Sequence, residues 1–549
     1  MKIALAQLNY HIGNFQKNSQ KIIDAINEAK TENADLIVFS ELAVCGYSPL
    51  DLLESKLFIQ NCEKTVKEIS AHCDNIAVII GAPVINKDKG KKLFNAGLFI
   101  YNKEIKHTVR KTLLPNYDVF NESRYFEHNS EFEVIEFKGK KIALTICEDL
   151  WDEQSVNTNF EKAVLYEKPP LKELIKNNPD FIINISGSPY SYNQFENRKE
   201  ILIKNAIKYR LPVVYVNQVG ANTDLIYDGG SLVMSNKGEV IKSCKYFEED
   251  LCIIDTSEFE NSKIQIYRKP NKIADINKAL VLGIKDFFDK NGFSKAILGL
   301  SGGIDSALTL ALAIQAIGNK NVEVLLMPSK YSSRNSIEDA KEMAEKCNVK
   351  YYITYIENIR QIIEQNLNFF FANTKSDATE ENIQARIRST LLMAFANKFG
   401  YILLNTSNKS EAAVGYTTLY GDMCGGLSVL GDVYKTDIYK LSRYINENIS
   451  LTIPQSIINK VPTAELRYNQ KDSDSLPEYE ILDGILFNYI EKKLSVEEIH
   501  KLGYEKEMVR DVLNMVNRSE HKRFQSSPIL RVSSKAFGCG RRMPLVAKY

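Results

Sequence analysis

From Ile3 to Leu404 the chain alternates short apolar runs with amphipathic stretches. Residues 3–6, 36–39, 77–80, 142–146, 181–185 and 213–216 are compact runs rich in Ile, Val, Leu and Ala, bounded by turn residues. Runs of that length and composition read as strands buried on both faces. Between the first two, residues 18–30 set Ile22, Ile23, Ile26 and Ala29 at helical spacing. Strands and helices in alternation predict a layered α/β fold. The grammar returns later, with strands expected over 296–300, 322–327 and 401–404 and helices over 336–346 and 381–399.

The texture changes between these halves. Residues 257–262 are polar and acidic, and Tyr267-Arg268-Lys269-Pro270-Asn271 breaks any regular element. A new helical pattern then begins at Ile276, Leu280, Ile284 and Phe287. Two domains are expected, 1–262 and 263–549, each long enough for its own core.

Composition excludes several classes. The 549 residues carry 70 Lys+Arg against 69 Asp+Glu, a net charge of +1. Such balance argues against a nucleic-acid partner held by bulk charge. No run approaches the roughly 18 apolar residues of a spanning helix, so no membrane partner is expected. The N-terminal apolar run is broken by Gln7 and reads as a strand, not a leader. Nine Cys and six His are scattered, with no CxxC and no HExxH. That fits a cytoplasmic location and argues against a structural zinc site. The tail from Arg518 is basic and helix-poor, and its Arg541-Arg542 reads as solvated charge.

Three residues of the first half each sit near the end of an apolar run: Glu41, Lys111 and Cys147. Singly, each has a plainer reading, as solvated charge or as a small buried hydrophobe. Together they form a chemical set. A thiol near neutrality needs a base, and Glu41 is one. Acyl transfer builds an oxyanion, which a Lys111 ammonium stabilises.

In the second half, LGLSGGIDS over 298–306 falls between a strand and a helix. Gly302 and Gly303 let backbone N–H groups approach phosphate oxygens, and Ser301 and Ser306 add donors at a helix N-terminus. The string lacks the lysine of a Walker A loop. Asp305 instead offers a carboxylate for Mg²⁺ beside the phosphates.

Ser40-Glu41-Leu42, Lys111 with Leu114-Pro115, and Cys147-Glu148-Asp149 with Trp151 resemble the carbon–nitrogen hydrolase (nitrilase) superfamily. That resemblance implies an α-β-β-α sandwich and Glu41, Lys111 and Cys147 as its catalytic triad. LPNYDVFNESRYF over 114–126, NISGSP over 184–189 and YVNQVGANTDLIYDGG over 215–230 resemble the glutaminase domain of the glutamine-dependent NAD synthetases. They imply Tyr117 and Ser188 in a glutamine pocket, with Glu148 in support. A basic residue is usual six positions past that serine; here it is Gln194, and Arg198 is a substitute to consider. Asp228-Gly229-Gly230 also reads as a plain hairpin turn.

SGGIDS over 301–306 is similar to the loop of the ATP pyrophosphatase (PP-loop) superfamily, which implies a doubly wound, Rossmann-like parallel sheet. EENIQARIR over 380–388, TSNKSEAAVG over 406–415, Tyr420-Gly421-Asp422 and Pro462-Thr463-Ala464-Glu465 resemble the NAD synthetase domain. The resemblance implies ATP on Gly299, Leu300, Ser301, Gly302, Gly303, Ile304, Asp305, Ser306, Thr406, Lys435 and Thr463. It implies deamido-NAD on Asn382, Glu411 and Lys522, and Mg²⁺ on Asp305 and Glu411. Ser407 stands where the family usually has glycine. Of Arg386 and Arg388, spaced i, i+2 on one helix, at most one points at the site.

The implied activity is ATP-dependent amidation of deamido-NAD to NAD with ammonia from glutamine, releasing AMP, pyrophosphate and glutamate. Homo-oligomers are the rule in the family. Rival readings are an ammonia-only synthetase with a vestigial first half, another PP-loop amidotransferase, or a nucleotide sensor.

Overall fold

The computed structural model describes residues 1–151, 155–158, 161–164, 166, 169–261 and 268–547. Contacts divide the chain into two units, Met1–Pro270 and Asn271–Tyr549. The division expected after residue 262 falls among residues 262–267, which lie outside the described set.

The first unit holds two six-stranded sheets. One runs Asp250–Asp255, Lys2–Gln7, Leu36–Val38, Ala77–Ile85, Leu93–Tyr101, Glu104–Arg110. The other runs Val240–Ser243, Leu232–Met234, Val213–Asn217, Phe181–Ser186, Lys140–Ile146, Ile135–Phe137. Each has three parallel strands at its centre and antiparallel strands outside. Side chains alternate across a strand, which explains the near-continuous apolar runs. Ile3 and Leu5 join Val38, Ile79, Leu144, Ile183 and Val214 in a core between the sheets. Ala4 and Ala6 face the opposite way, into a core with Ile22, Ile26 and Ile59. Those isoleucines come from the helices Phe15–Thr31 and Lys56–Ser70. Ala143, Ile182 and Val213 similarly meet Leu171, Leu202 and Ala206 of Pro170–Ile175 and Gln194–Tyr209. The order is helix, sheet, sheet, helix, and each large buried aliphatic side chain contributes about 1.5–3 kcal/mol.

The second unit is built on a five-stranded, all-parallel sheet. Its order is Lys350–Ile353, Val322–Leu326, Ala296–Gly299, Ile402–Asn405, Leu427–Ser428. Helices Lys272–Asn291, Ile304–Ile317 and Lys435–Asn448 pack together, while Glu357–Leu367 packs with Ala378–Phe399. A separate helical cluster gathers Tyr479–Leu486, Val496–Lys501 and Lys506–Arg518 around Leu482, Ile499 and Val512. Chain order reverses between Ala296–Gly299 and Ile402–Asn405, the switch point at which such sheets take ligands. Among the described residues no helix is long and apolar enough to cross a membrane.

Arg541 departs from its expected solvated state. It is buried and donates to Glu520 Oε2 at 2.7 Å, an acid that also holds Arg523. Arg542 is exposed.

Candidate active sites of the two units

In the first unit each member of the predicted set lies just past the C-terminal end of a strand. Cys147 follows Lys140–Ile146 directly, Lys111 follows Glu104–Arg110, and Glu41 lies three residues past Leu36–Val38. Gly81 lets the Glu41 turn lie against its neighbouring strand: a Cβ there would stand 2.2 Å from the Leu42 nitrogen. Cys147 has φ +45°, in the left-handed region. A non-glycine residue there is strained and turns its side chain sharply out of the strand.

Lys111 and Glu41 are fully buried and bonded, Nζ to Oε1 at 2.6 Å. Asn95 Nδ2 donates to the same oxygen at 2.7 Å, and the Gly187 N–H to Oε2 at 2.8 Å. Both oxygens of the expected base are therefore fixed. A second carboxylate, which sequence reading missed, completes the array. Glu122 Oε1 accepts from Lys111 Nζ at 2.8 Å and from the Tyr47 hydroxyl at 2.7 Å. An ammonium has three N–H donors; the two glutamates take two and leave one for a substrate oxygen.

The electrostatics follow from burial. Desolvation alone would lower the Lys111 pKa, but Glu122 and Glu41 outweigh it and hold it well above the usual range. Lys111 stays charged. Burial, with Glu41 and Lys111 acting in opposite senses, pushes Glu122 up to about 7. Burial and the Glu41 charge push the Cys147 thiol well above its ordinary value, against the pull of Lys111. Cys147 is therefore held toward its thiol form.

Asp149 ties the parts together. Its Oδ1 accepts from the Thr112 and Leu113 N–H groups at 3.0 and 2.8 Å, and its Oδ2 from Ile146 N–H at 3.1 Å. One buried side chain thus holds the segment after Lys111 and the residue before Cys147. Burial, partly offset by these bonds, pushes its carboxyl up to about 7.

The residues expected around glutamine divide. Tyr117 donates to Glu148 Oε1 at 2.8 Å, as does Tyr166 at 2.9 Å, which fixes the carboxylate that follows Cys147 in the chain. Ser188 follows Gly187, the Glu41 partner, and is fixed through both backbone groups by the Asn217 side chain. Gln194 opens the helix Gln194–Tyr209 and is half-buried. Arg198 is not on offer as a substitute cation. It is buried, and its NH1 and NH2 meet both oxygens of Asp228, the nearer at 2.9 Å. Asp228 is thus a buried counter-ion as well as part of a turn.

In the second unit a cleft of about 300 Å³ opens at the switch point. Gly299, Leu300, Ser301, Gly302, Gly303, Asp305, Ser306, Thr406, Glu411 and Thr463 line it. The Ser301 and Ser306 hydroxyls lie 3.1 Å apart, and Gly303 N–H donates to Ser301 Oγ at 3.2 Å. Gly302 has φ +79°, and a Cβ on it would stand 2.1 Å from the Ser336 carbonyl oxygen. Only glycine fits there. Ile304 turns into the protein and is buried. Ser407 is accommodated, its hydroxyl donating to the Asp422 carbonyl at 3.0 Å.

Lys435 lies beneath the cleft. Its Nζ is 2.5 Å from Asp305 Oδ2 and 3.4 Å from Glu411 Oε1. Asn408 Nδ2 holds the other Asp305 oxygen at 2.9 Å. Burial and the facing Asp305 push Glu411 up to about 8, although Lys435 pulls it down. Asp305 and Glu411 are hard oxygen donors on one side of the cleft. They fit Mg²⁺, which takes one or two carboxylates together with substrate phosphates.

Asn382 and Lys522 flank one segment from two sides: Asn382 Oδ1 accepts from Thr418 Oγ1 at 2.7 Å, and Lys522 Nζ donates to the Gly415 and Thr417 carbonyls. Neither lines the cleft. Arg388 lines it, its guanidinium pushed down to about 10 by burial, whereas Arg386 donates to the Leu419 carbonyl. Lys460 and Glu465 also line it, unforeseen. Lys460 Nζ donates to the Gly302 carbonyl at 3.2 Å, and Glu465 accepts from the Ser336 hydroxyl at 2.6 Å.

A buried thiol with a glutamate and a lysine on a double-sheet sandwich, and a glycine loop on a parallel sheet, define a carbon–nitrogen hydrolase joined to a nucleotide-activating synthetase. Comparison with known proteins bears this out. Residues 2–258 match the carbon-nitrogen hydrolase family, and residues 276–526 match the NAD synthase family. The glutamine-dependent NAD(+) synthetase of Synechocystis sp. is 42% identical over 100% of this chain and 99% of its own. That of Acinetobacter baylyi is 42% identical over 99% and 98%. The solved glutamine-dependent NAD+ synthetase of Acinetobacter baumannii, in complex with adenosine diphosphate, is 40% identical with a TM-score of 0.78, covering 99% of this chain and 98% of its own. This chain belongs to the glutamine-dependent NAD(+) synthetase family.

Proposed function

We propose that this chain makes NAD from deamido-NAD, with ATP and with nitrogen taken from glutamine. The observation that carries this reading is the Glu41–Lys111–Glu122 array beside Cys147, on the same chain as a phosphate-type loop whose Gly302 admits no side chain. Cys147 Sγ attacks the side-chain amide carbon of glutamine while its proton passes to Glu41. The remaining Lys111 N–H meets the oxyanion. Glu41 returns the proton to the departing ammonia, then activates the water that opens the thioester and releases glutamate. Tyr117, Ser188 and Gln194 face the glutamine.

In the second unit the backbone of residues 299–303 and the N-terminus of the helix Ile304–Ile317 cradle ATP phosphates. Ser306, Thr406, Lys435 and Thr463 complete that site, and Asn382, Glu411 and Lys522 take deamido-NAD. Asp305 and Glu411 would hold Mg²⁺, which neutralises the pyrophosphate as it leaves. The nicotinate carboxylate displaces pyrophosphate, and ammonia then displaces AMP. The enzyme works in the cytoplasm as a homo-oligomer.

The test is NAD formation from deamido-NAD, ATP and Mg²⁺ with glutamine or ammonia as donor. Wild type should use both donors, and Cys147→Ala only ammonia. Failure of wild type with both donors overturns the acceptor. Wild type using ammonia alone makes the first unit vestigial.

A further inference from the structure

Among the described residues, one group of His, Cys, Asp and Glu side chains brings three ligand atoms within 4.8 Å of one another: Cys244, Asp250 and Cys252. Two sheet edges place them. Asp250 and Cys252 stand at i and i+2 on Asp250–Asp255, so they leave the same face of that strand. The strand forms the edge of the first sheet, paired with Lys2–Gln7. Cys244 directly follows Val240–Ser243, the edge strand of the second sheet. Both cysteines belong to the core between the sheets and are buried, while Asp250 is half-buried and opens the group toward solvent.

We propose that Cys244, Asp250 and Cys252 bind one Zn²⁺, with a water as fourth ligand, and that the ion clasps the edges of the two sheets. The ligand types suit it: two thiolates and a carboxylate are a borderline-soft set. The spacing suits it too. Zn–S of about 2.3 Å and Zn–O of about 2.0 Å at a tetrahedral angle set sulfur and oxygen about 3.5 Å apart. Cys252 Sγ and Asp250 Oδ2 are 3.5 Å apart. The carboxylate is oriented by backbone donors, Lys245 N–H on Oδ2 at 2.9 Å and Leu251 N–H on Oδ1 at 3.1 Å. Such outer bonds hold a ligand in place for its ion. Thiolate ligands must shed their protons to bind, so uptake releases protons and tightens as pH rises. The order C-x₅-D-x-C matches no short zinc pattern, so spacing along the chain hides the group.

The test is a cobalt(II) titration of the full chain, reduced with a phosphine and freed of metal. About one equivalent should give intense thiolate-to-cobalt charge transfer and tetrahedral d–d bands, both abolished by Zn²⁺. Cys244→Ser and Cys252→Ser should each weaken binding about tenfold or more, and Cys147→Ala should leave the bands intact. Because the serine variants risk misfolding, alkylation of the wild type mapped by mass spectrometry supplies a second readout: Zn²⁺ should protect Cys244 and Cys252 together. Absence of charge transfer, bands that vanish with Cys147→Ala, or no protection by Zn²⁺ would each overturn the proposal. So would a wild type whose Cys244 and Cys252 form a disulfide under peroxide yet take up no cobalt.

Discussion

In the first unit the reactive charges are sealed in and paired with one another; in the second they border an open cleft. Lys111 and Glu41 side chains are 0% exposed, against 19% for Asp305 and 18% for Glu411. The difference follows from what each site must meet. A thiol attacking a neutral amide needs charges already in place and little water to reorganise. A polyphosphate needs unpaired backbone donors and carboxylates still able to receive a cation. The first site is therefore built from buried, mutually paired side chains, and the second from a glycine loop together with side chains that reach an open cleft.

The sharpest way to break this comparison is Cys147→Ala. Glutamine-driven synthesis should fall by about 10⁴-fold or more, with ammonia-driven synthesis unchanged, as assayed by NAD formation with each donor. If both fall together, the two units are not separable. Gly302→Ala should do the reverse, because the added methyl collides with the Ser336 carbonyl in a strained backbone region. A cost of about 2–3 kcal/mol predicts about a 100-fold loss of synthesis with either donor, while glutamate release continues.

A third expectation concerns Asp149→Asn. The amide leaves one acceptor oxygen for three buried N–H groups, which should cost about 1.5–3 kcal/mol, read as a lower unfolding temperature of the first unit. The Asp149 carboxyl is raised in the fold, so its contribution is full below its unfolded value of about 4 and fades as pH rises to about 7. The variant should lack that share of the pH slope. The smallest effect should appear at Glu411. Raised to about 8, it sheds its proton as pH climbs from 7 to 9. The Mg²⁺ needed for half-maximal synthesis should then drop by about tenfold, and in Glu411→Gln, which has no proton to shed, that drop should be absent.

Much of this was legible because it is local. Glu41, Lys111 and Cys147 announce themselves at strand ends, and the loop 301–306 between strand and helix. What stayed hidden depends on pairing between distant segments. Nothing near Glu122 hints that it shares an ammonium with Glu41, which lies far earlier in the chain. Arg198 looked free until its partner Asp228 was seen, and Arg541 looked solvated until Glu520 was. Lys460 reaches the Gly302 carbonyl from a later loop. A charge in a sequence carries no mark of its counter-ion, and burial decides which charges are chemistry and which are scaffolding.

The three bonds of Asp149 also bear on how such a site changes over generations. With one carboxylate latching both the Cys147 turn and the segment after Lys111, neither can drift alone. Substitutions at Tyr117, Ser188 or Gln194 leave those three bonds untouched, so Cys147 and Lys111 keep their spacing. The latch makes the spacing of Cys147 and Lys111 heritable separately from the residues around it.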